Sequence, residues 1–148
     1  MADHSYLSNG RAAKWRPLRP DEADLAAGFG GLAWIALWFF CVAAFELRVA
    51  VTHDLPLPSL LFTGLTVIAA IGLLAKAWWG FALALLMAAR QVFGVVYLIA
   101  SGGVEVPFLA AAYGVGNAVI GAVTIIYLME GARPNAVFFG RVRKEAVR

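Results

Sequence analysis

Apolar residues fall into four long runs broken by short polar stretches, at 25–47, 59–75, 79–101 and 106–129. A helix rises about 1.5 Å per residue, so crossing roughly 30 Å of hydrocarbon takes about 20 apolar residues. Three runs meet that length, and 59–75 lies at the short end of the range. The stretch from Trp78 to Ser101, WWGFALALLMAARQVFGVVYLIAS, is apolar throughout except for Arg90-Gln91 at its middle. The pattern predicts an all-α integral membrane protein: a four-transmembrane-helix bundle over 25–130, with basic tails at 1–24 and 131–148.

The breaks carry their own signals. Pro20-Asp21-Glu22-Ala23-Asp24 reads as a helix start, since proline suits the first turn and acids complement the positive end of the dipole. Gly28, Gly30 and Gly31 near the start of the first run let a neighbour approach closely, and Trp38 at mid-depth is expected to pack against protein. Pro56 and Pro58 stop one helix, and Ser59 reads as the N-cap of the next. The connection around Lys76 is very short and lacks a strong turn signal, so the second and third runs form an antiparallel hairpin. Gly102-Gly103 and Glu105-Val106-Pro107 turn into the fourth run. Glu130-Gly131-Ala132-Arg133-Pro134 ends it, as glycine followed by proline does.

Composition agrees. Hydrophobic residues make up 62% of the chain and charged ones 14%, with mean hydropathy +0.80, whereas soluble domains carry about 25% charged residues. The single cysteine, Cys41, excludes a disulfide within the chain. The net charge of +3 comes from basic residues flanking apolar runs, which indicates a lipid surface and no nucleic acid. No apolar core precedes a cleavage site in the first 24 residues, so no cleaved signal peptide is expected.

The basic residues also set an orientation. Arg11, Lys14, Arg16 and Arg19 precede the first run, Lys76 separates the second and third, and Arg133, Arg141, Arg143, Lys144 and Arg148 follow the fourth. In a four-span chain all of these lie on one side, against Arg48 on the other. The positive-inside rule then places both termini in the cytoplasm of a multi-pass protein of a cell inner membrane. So sharp a bias argues against the antiparallel, dual-topology dimers of some small four-span exporters and fluoride channels. The basic N-terminal segment can lie on anionic lipid at about 1 kcal/mol per side chain, although an orientation signal is the simpler reading. The apolar residues of the C-terminal tail (Val137, Phe138, Phe139, Val142) could dip into the interface.

Candidate chemistry is sparse. Arg90, Gln91 and Asn117 are expected at one depth, roughly 16 Å from the outer turn at about 1.5 Å per residue. In hydrocarbon such groups seek one another. Tyr97 lies two turns from Arg90, and Glu46 is the carboxylate best placed to meet it, though nearer the surface. The layer reads either as an internal clasp or as a site for an anion, a headgroup or a partner's acid. Gly80, Ala84, Ala88 and Gln91 form a small face on the third run, and Ala110, Gly114, Asn117, Gly121 and Thr124 one on the fourth, both suited to close helix packing.

His4 and His53 lie outside the runs, which excludes a bis-histidine haem clamp. No cluster has zinc or di-iron spacing, so no cofactor or metal is expected. His53-Asp54 reads as a solvated turn before it reads as an acid/base pair.

The span count is comparable to that of small four-span multidrug exporters. Those carry an embedded coupling glutamate in the first span, where this chain has only Glu46 at the far end, so their function does not transfer. The sequence therefore suggests a non-catalytic structural or accessory subunit that assembles with other membrane subunits or with itself. The alternative is a small oligomeric transporter or channel for a polar or anionic solute, using Arg90, Gln91 and Asn117. Enlarging a small face, as in Gly121→Leu, is expected to break an assembly, and Arg90→Gln to abolish flux.

Overall fold

The computed structural model describes residues 15–53, 57–100 and 108–143. Helix accounts for 86% of them. A short strand, β1 (Trp15–Pro17), leads through one 3-10 turn at Pro20–Glu22 into α1 (Ala23–Ala27). Four long helices follow: α2 (Gly31–His53), α3 (Leu57–Leu74), α4 (Trp78–Ala100) and α5 (Phe108–Glu130). The described chain closes with α6 (Ala132–Phe139) and β2 (Arg141–Arg143). Three helical stretches are long and apolar enough to cross a membrane, Pro20–Thr52, Trp78–Tyr97 and Ala111–Glu130, and Ser59–Leu74 is a shorter apolar helix.

The long helices pack in chain order, α2 on α3, α3 on α4 and α4 on α5. Leu32, Phe39, Leu73, Met87 and Leu128 fill the core with a set of buried alanines, among them Ala70, Ala84 and Ala88. Large apolar side chains also cover the outside: Trp34 is 73% exposed, Phe93 69% and Ile99 74%. In water that surface would drive aggregation, whereas in a bilayer it is the solvated face.

Two closest approaches are set by glycine. A Cβ on Gly72 would lie 2.5 Å from the Gly80 Cα, so α3 and α4 cross backbone to backbone. A Cβ on Gly121 would lie 2.7 Å from the Ala88 carbonyl, so α5 meets α4 in the same way. Gly114, by contrast, leaves ordinary room, 3.5 Å to Val95.

The first run does not begin as one helix at Leu25. The backbone is extended at Gly28, Gly30 takes φ +47, and α2 starts only at Gly31. Three glycines in four residues weaken the helix there, and each is covered by a side chain that a Cβ would displace: Arg133 over Gly28 and Gly30, and the Tyr127 hydroxyl over Gly31. At its other end α2 runs six residues past the expected stop at Leu47. Thr52 Oγ1 donates back to the Arg48 and Val49 carbonyls (3.0 and 3.1 Å) within this extension.

The α3–α4 turn explains its missing signal. Lys76 sits at φ 53, where glycine is usual. Its amide donates to Leu73 O (3.1 Å), and that of Ala77 donates to Gly72 O (3.0 Å), the paired bonds that close a helix end. The strained lysine is also an anchor. Its Nζ donates to the Ala26 and Ala27 carbonyls at 2.8 and 2.5 Å, tying the turn to the end of α1.

The tails are joined. β1 pairs antiparallel with β2, with Arg16 opposite Val142, and the Leu18 amide donates to Gly140 O at 2.9 Å. Fully buried Asn135 organises this cap. Its Nδ2 donates to Met129 O and Gly131 O at the end of α5, and its Oδ1 accepts from Arg141 Nε at 3.0 Å. The Arg141 guanidinium lies 4.8 Å from the rings of both Trp15 and Phe139. Val142 is buried in the cap, and Phe138 packs against the bundle core.

The cap carries a pH dependence. The Arg16 guanidinium and the Arg19 amide hold the Glu22 carboxyl at about 2, below its ordinary 4.5. A carboxyl depressed in the folded state contributes stability that is complete above its unfolded value and is lost as pH falls through the folded one. Exchange of the Leu18 amide, corrected for its intrinsic rate, is therefore expected to accelerate between pH 4.5 and about 2. Arg16→Gln should raise the lower end of that window toward 4.5 and shrink the acceleration across it.

Candidate functional site

Charge is scarce along the four long helices. α3 has none, α4 has only Arg90, α5 only Glu130 at its end, and α2 has Glu46 and Arg48. Because α2 extends to His53, Glu46 stands seven residues inside the helix, about 10 Å from its end at about 1.5 Å per residue. Arg90 stands ten residues before the end of α4, about 15 Å by the same rise. The remaining offset is within reach of two long side chains. Arg90 Nη1 donates to Glu46 Oε1 at 3.0 Å.

Three helices close on this pair. Thr63 Oγ1 on α3 donates to Glu46 Oε2 at 2.9 Å, so both carboxylate oxygens are engaged. The Arg90 guanidinium lies 4.7 Å from the centroid of the Phe62 ring, one residue before Thr63. Acid and aromatic face thus meet one cation, and the hydroxyl meets the acid.

Gln91 and Asn117 do not contact Arg90 through hydrogen bonds. They line a cavity of about 210 Å³ next to the ion pair, bounded by α2, α4 and α5, whose wall also includes Gly94 and Gly114. Asn117 is 7% exposed, yet its Oδ1 has no partner among the described residues, and neither does the buried Gln91 Oε1. Tyr113, one turn before Asn117, stands beside it without its hydroxyl reaching hydrogen-bond geometry. Tyr97 is elsewhere: it is 76% exposed and does not line the cavity.

The residues proposed for helix packing divide by position. Gly80, Ala84 and Ala88 are buried between α4 and its neighbours, with Gly80 against Gly72. Gly121 is buried against Ala88, so enlarging it tests the fold and not an assembly, while Gly114 lines the cavity. The side chains of Ala110 and His53 and the residues 54–56 and 101–107, including Asp54 and Glu105, lie outside the described residues, as does His4.

Sequence reasoning missed Thr63, Phe62, Tyr113 and Gly72. Thr63 was detectable in principle, because Thr63 and Thr66 are the only polar residues in the interior of an otherwise apolar run. Both hydroxyls lie near the carbonyl one turn back, Thr63 at 3.0 Å from Ser59 O and Thr66 at 2.9 Å from Phe62 O, but only Thr63 also reaches Glu46 among the described residues, and nothing in the sequence distinguishes the two threonines.

A second, apolar cavity of about 250 Å³ lies between α2 and α5, lined by Trp34, Trp38, Val123 and Thr124 among others. Trp38 packs beside the core, with its indole N–H buried and unpartnered among the described residues. No group of three or more His, Cys, Asp or Glu residues among those described could hold a metal ion. Comparison with protein families, curated proteins and solved structures found no match to this chain.

Proposed function

We propose that the chain crosses the membrane four times, with its two tails on the cytoplasmic side, and serves as a non-catalytic subunit of a membrane assembly. The support for a fourth crossing is parity. Residues 15–17 and 141–143 are hydrogen-bonded to each other, so they share one side of any bilayer. Three crossings would separate them, whereas α3 as the fourth reconciles the pairing with the three longer spans. The 18 residues of α3 reach about 27 Å at about 1.5 Å each, close to the hydrocarbon thickness. The ten-to-one distribution of basic residues supports the cytoplasmic assignment.

The subunit reading rests on Gly64 and Gly116. Both sit inside long helices, both are exposed, and a Cβ on either would meet nothing within 4 Å. Glycine there costs about 1 kcal/mol relative to alanine and supports no close contact among the described residues. Close approach by a helix of another subunit gives it a purpose. The engaged Glu46–Arg90 pair fits the same reading, since the cation at depth already has its partners.

Native mass spectrometry after gentle extraction from the membrane tests this. Fixed-ratio complexes are expected, and Gly64→Leu or Gly116→Leu should dissociate them without lowering thermal stability. A protein that stays monomeric when extracted, or complexes indifferent to both changes, would refute it. A second reading, a small oligomeric transporter for a polar solute, is favoured by one observation: the cavity holding the unpartnered oxygens of Gln91 and Asn117.

A further inference from the structure

The cavity beside the ion pair has a defined chemistry. Its volume of about 210 Å³ is well above the roughly 30 Å³ that one water occupies in the liquid. Two buried acceptors, Gln91 Oε1 and Asn117 Oδ1, take no hydrogen bond from the described residues, and beside Asn117 the buried Tyr113 hydroxyl is unpartnered among them as well. Were either amide oriented the other way, an unpartnered donor would replace the acceptor, so the site calls for a guest able to do both. Its charge is balanced, with Arg90 3.0 Å from Glu46. An isolated anion would meet the Glu46 carboxylate and satisfy neither acceptor. An isolated cation would meet Arg90. At roughly 15 Å from the end of α4, from about 1.5 Å per residue, the cavity is too deep for a lipid headgroup to reach without leaving the interface.

We infer that the α2/α4/α5 cavity is a binding site for a small neutral solute of the amide or polyhydroxyl class, held by Asn117 and Gln91 next to the Glu46–Arg90 pair. This goes beyond the subunit reading and does not depend on it: it requires the cavity alone, and it narrows the transport reading from polar or anionic solutes to neutral ones. Burying an unpaired amide oxygen is unfavourable, and a donor-bearing guest relieves that cost. The selectivity follows from the same term, because a guest lacking a donor leaves that oxygen unpaired.

Propionamide and propionate are nearly the same shape and differ in charge and in the N–H donors, which makes them matched probes. Saturation-transfer NMR on the full chain in deuterated nanodiscs should show transfer to propionamide and several-fold less to propionate. Asn117→Leu should abolish the propionamide signal. Gly94→Leu should do so as well, and it isolates the cavity: Gly94 lines the space, and a Cβ there meets nothing within 4 Å, so the backbone can carry the added side chain beside the site. Thermal unfolding of each variant reports whether it is folded, and Gly94→Leu decides the matter if Asn117→Leu is not. Equal or stronger transfer to propionate would overturn the neutral class. Absence of transfer to propionamide, or its persistence in folded Gly94→Leu, would overturn the site.

Discussion

Gly80→Leu is expected to destabilise the protein by about 3 kcal/mol or more, the upper end for overpacking. The reason is what the new side chain would strike. A Cβ at Gly80 would approach the Gly72 backbone, including its carbonyl oxygen at 2.6 Å, and backbone cannot rotate away as a flexible side chain can. Relief requires α3 and α4 to separate, which pulls Ala69, Ala70 and Leu73 from Ala84 and Met87 in the shared core. It would also strain the Lys76 turn, whose closing bond runs to the Gly72 carbonyl itself. Gly114→Ala is the control, since its Cβ would meet only Val95 at an ordinary 3.5 Å. Denaturant-dependent loss of helicity in mixed micelles compares the two. A Gly80→Leu variant as stable as Gly114→Ala would show that the backbone crossing does not hold the bundle together.

The second large effect belongs to the Glu46–Arg90 pair, and it should be asymmetric. Glu46→Leu removes the carboxylate and leaves the Arg90 guanidinium without its ion-pair partner, so it is expected to cost about 3 kcal/mol. Arg90→Leu leaves a carboxylate that still accepts from Thr63, so about 1–2 kcal/mol is expected. Glu46→Leu with Arg90→Leu removes both charges and should be less damaging than Glu46→Leu alone, because an apolar pair in hydrocarbon leaves no charge to solvate. The double-mutant cycle then yields a coupling energy of about 2–3 kcal/mol. Additive single effects would mean that the contact contributes nothing, whatever its geometry.

How much of this was legible in the sequence follows from where each signal lies. Helical membrane character was fully legible, because it depends on composition and run length. Three of the long runs recur as membrane-competent helices, and the shorter fourth recurs as a helix whose crossing rests on parity. Gln91 and Asn117, set side by side by their positions on α4 and α5, line one cavity. Glu46 was legible as the carboxylate best placed to meet Arg90 but was read as nearer the surface, because Glu46 and Arg48 looked like a helix end although α2 continues to His53. Moving that end by six residues turned Glu46 from a surface acid into a partner at depth.

Other features had no local sequence signature. Lys76 occupies a left-handed position normally marked by glycine, and its compensation comes from carbonyls 49 and 50 residues away. The β1–β2 pairing joins segments at opposite ends of the described chain, each only three residues long, which is too short for a periodicity to register. The small faces were visible as sets of alanine and glycine, but sequence alone could not separate Gly121, used inside the fold, from Gly64 and Gly116, which face outward.

The central claim is that α3 crosses the membrane and puts both tails on one side. Cysteine accessibility in intact cells tests it most directly, because Cys41 is the only native cysteine and Cys41→Ser gives a clean background. Single cysteines would replace Thr52, Leu57 and Ala100 at one end of the bundle and Arg19 and Ala77 at the other, all exposed or half-buried. A membrane-impermeant thiol reagent should label the first three from outside and the last two only after permeabilisation. Labelling of Ala77→Cys from outside, or of Leu57→Cys only after permeabilisation, would contradict the four-crossing account.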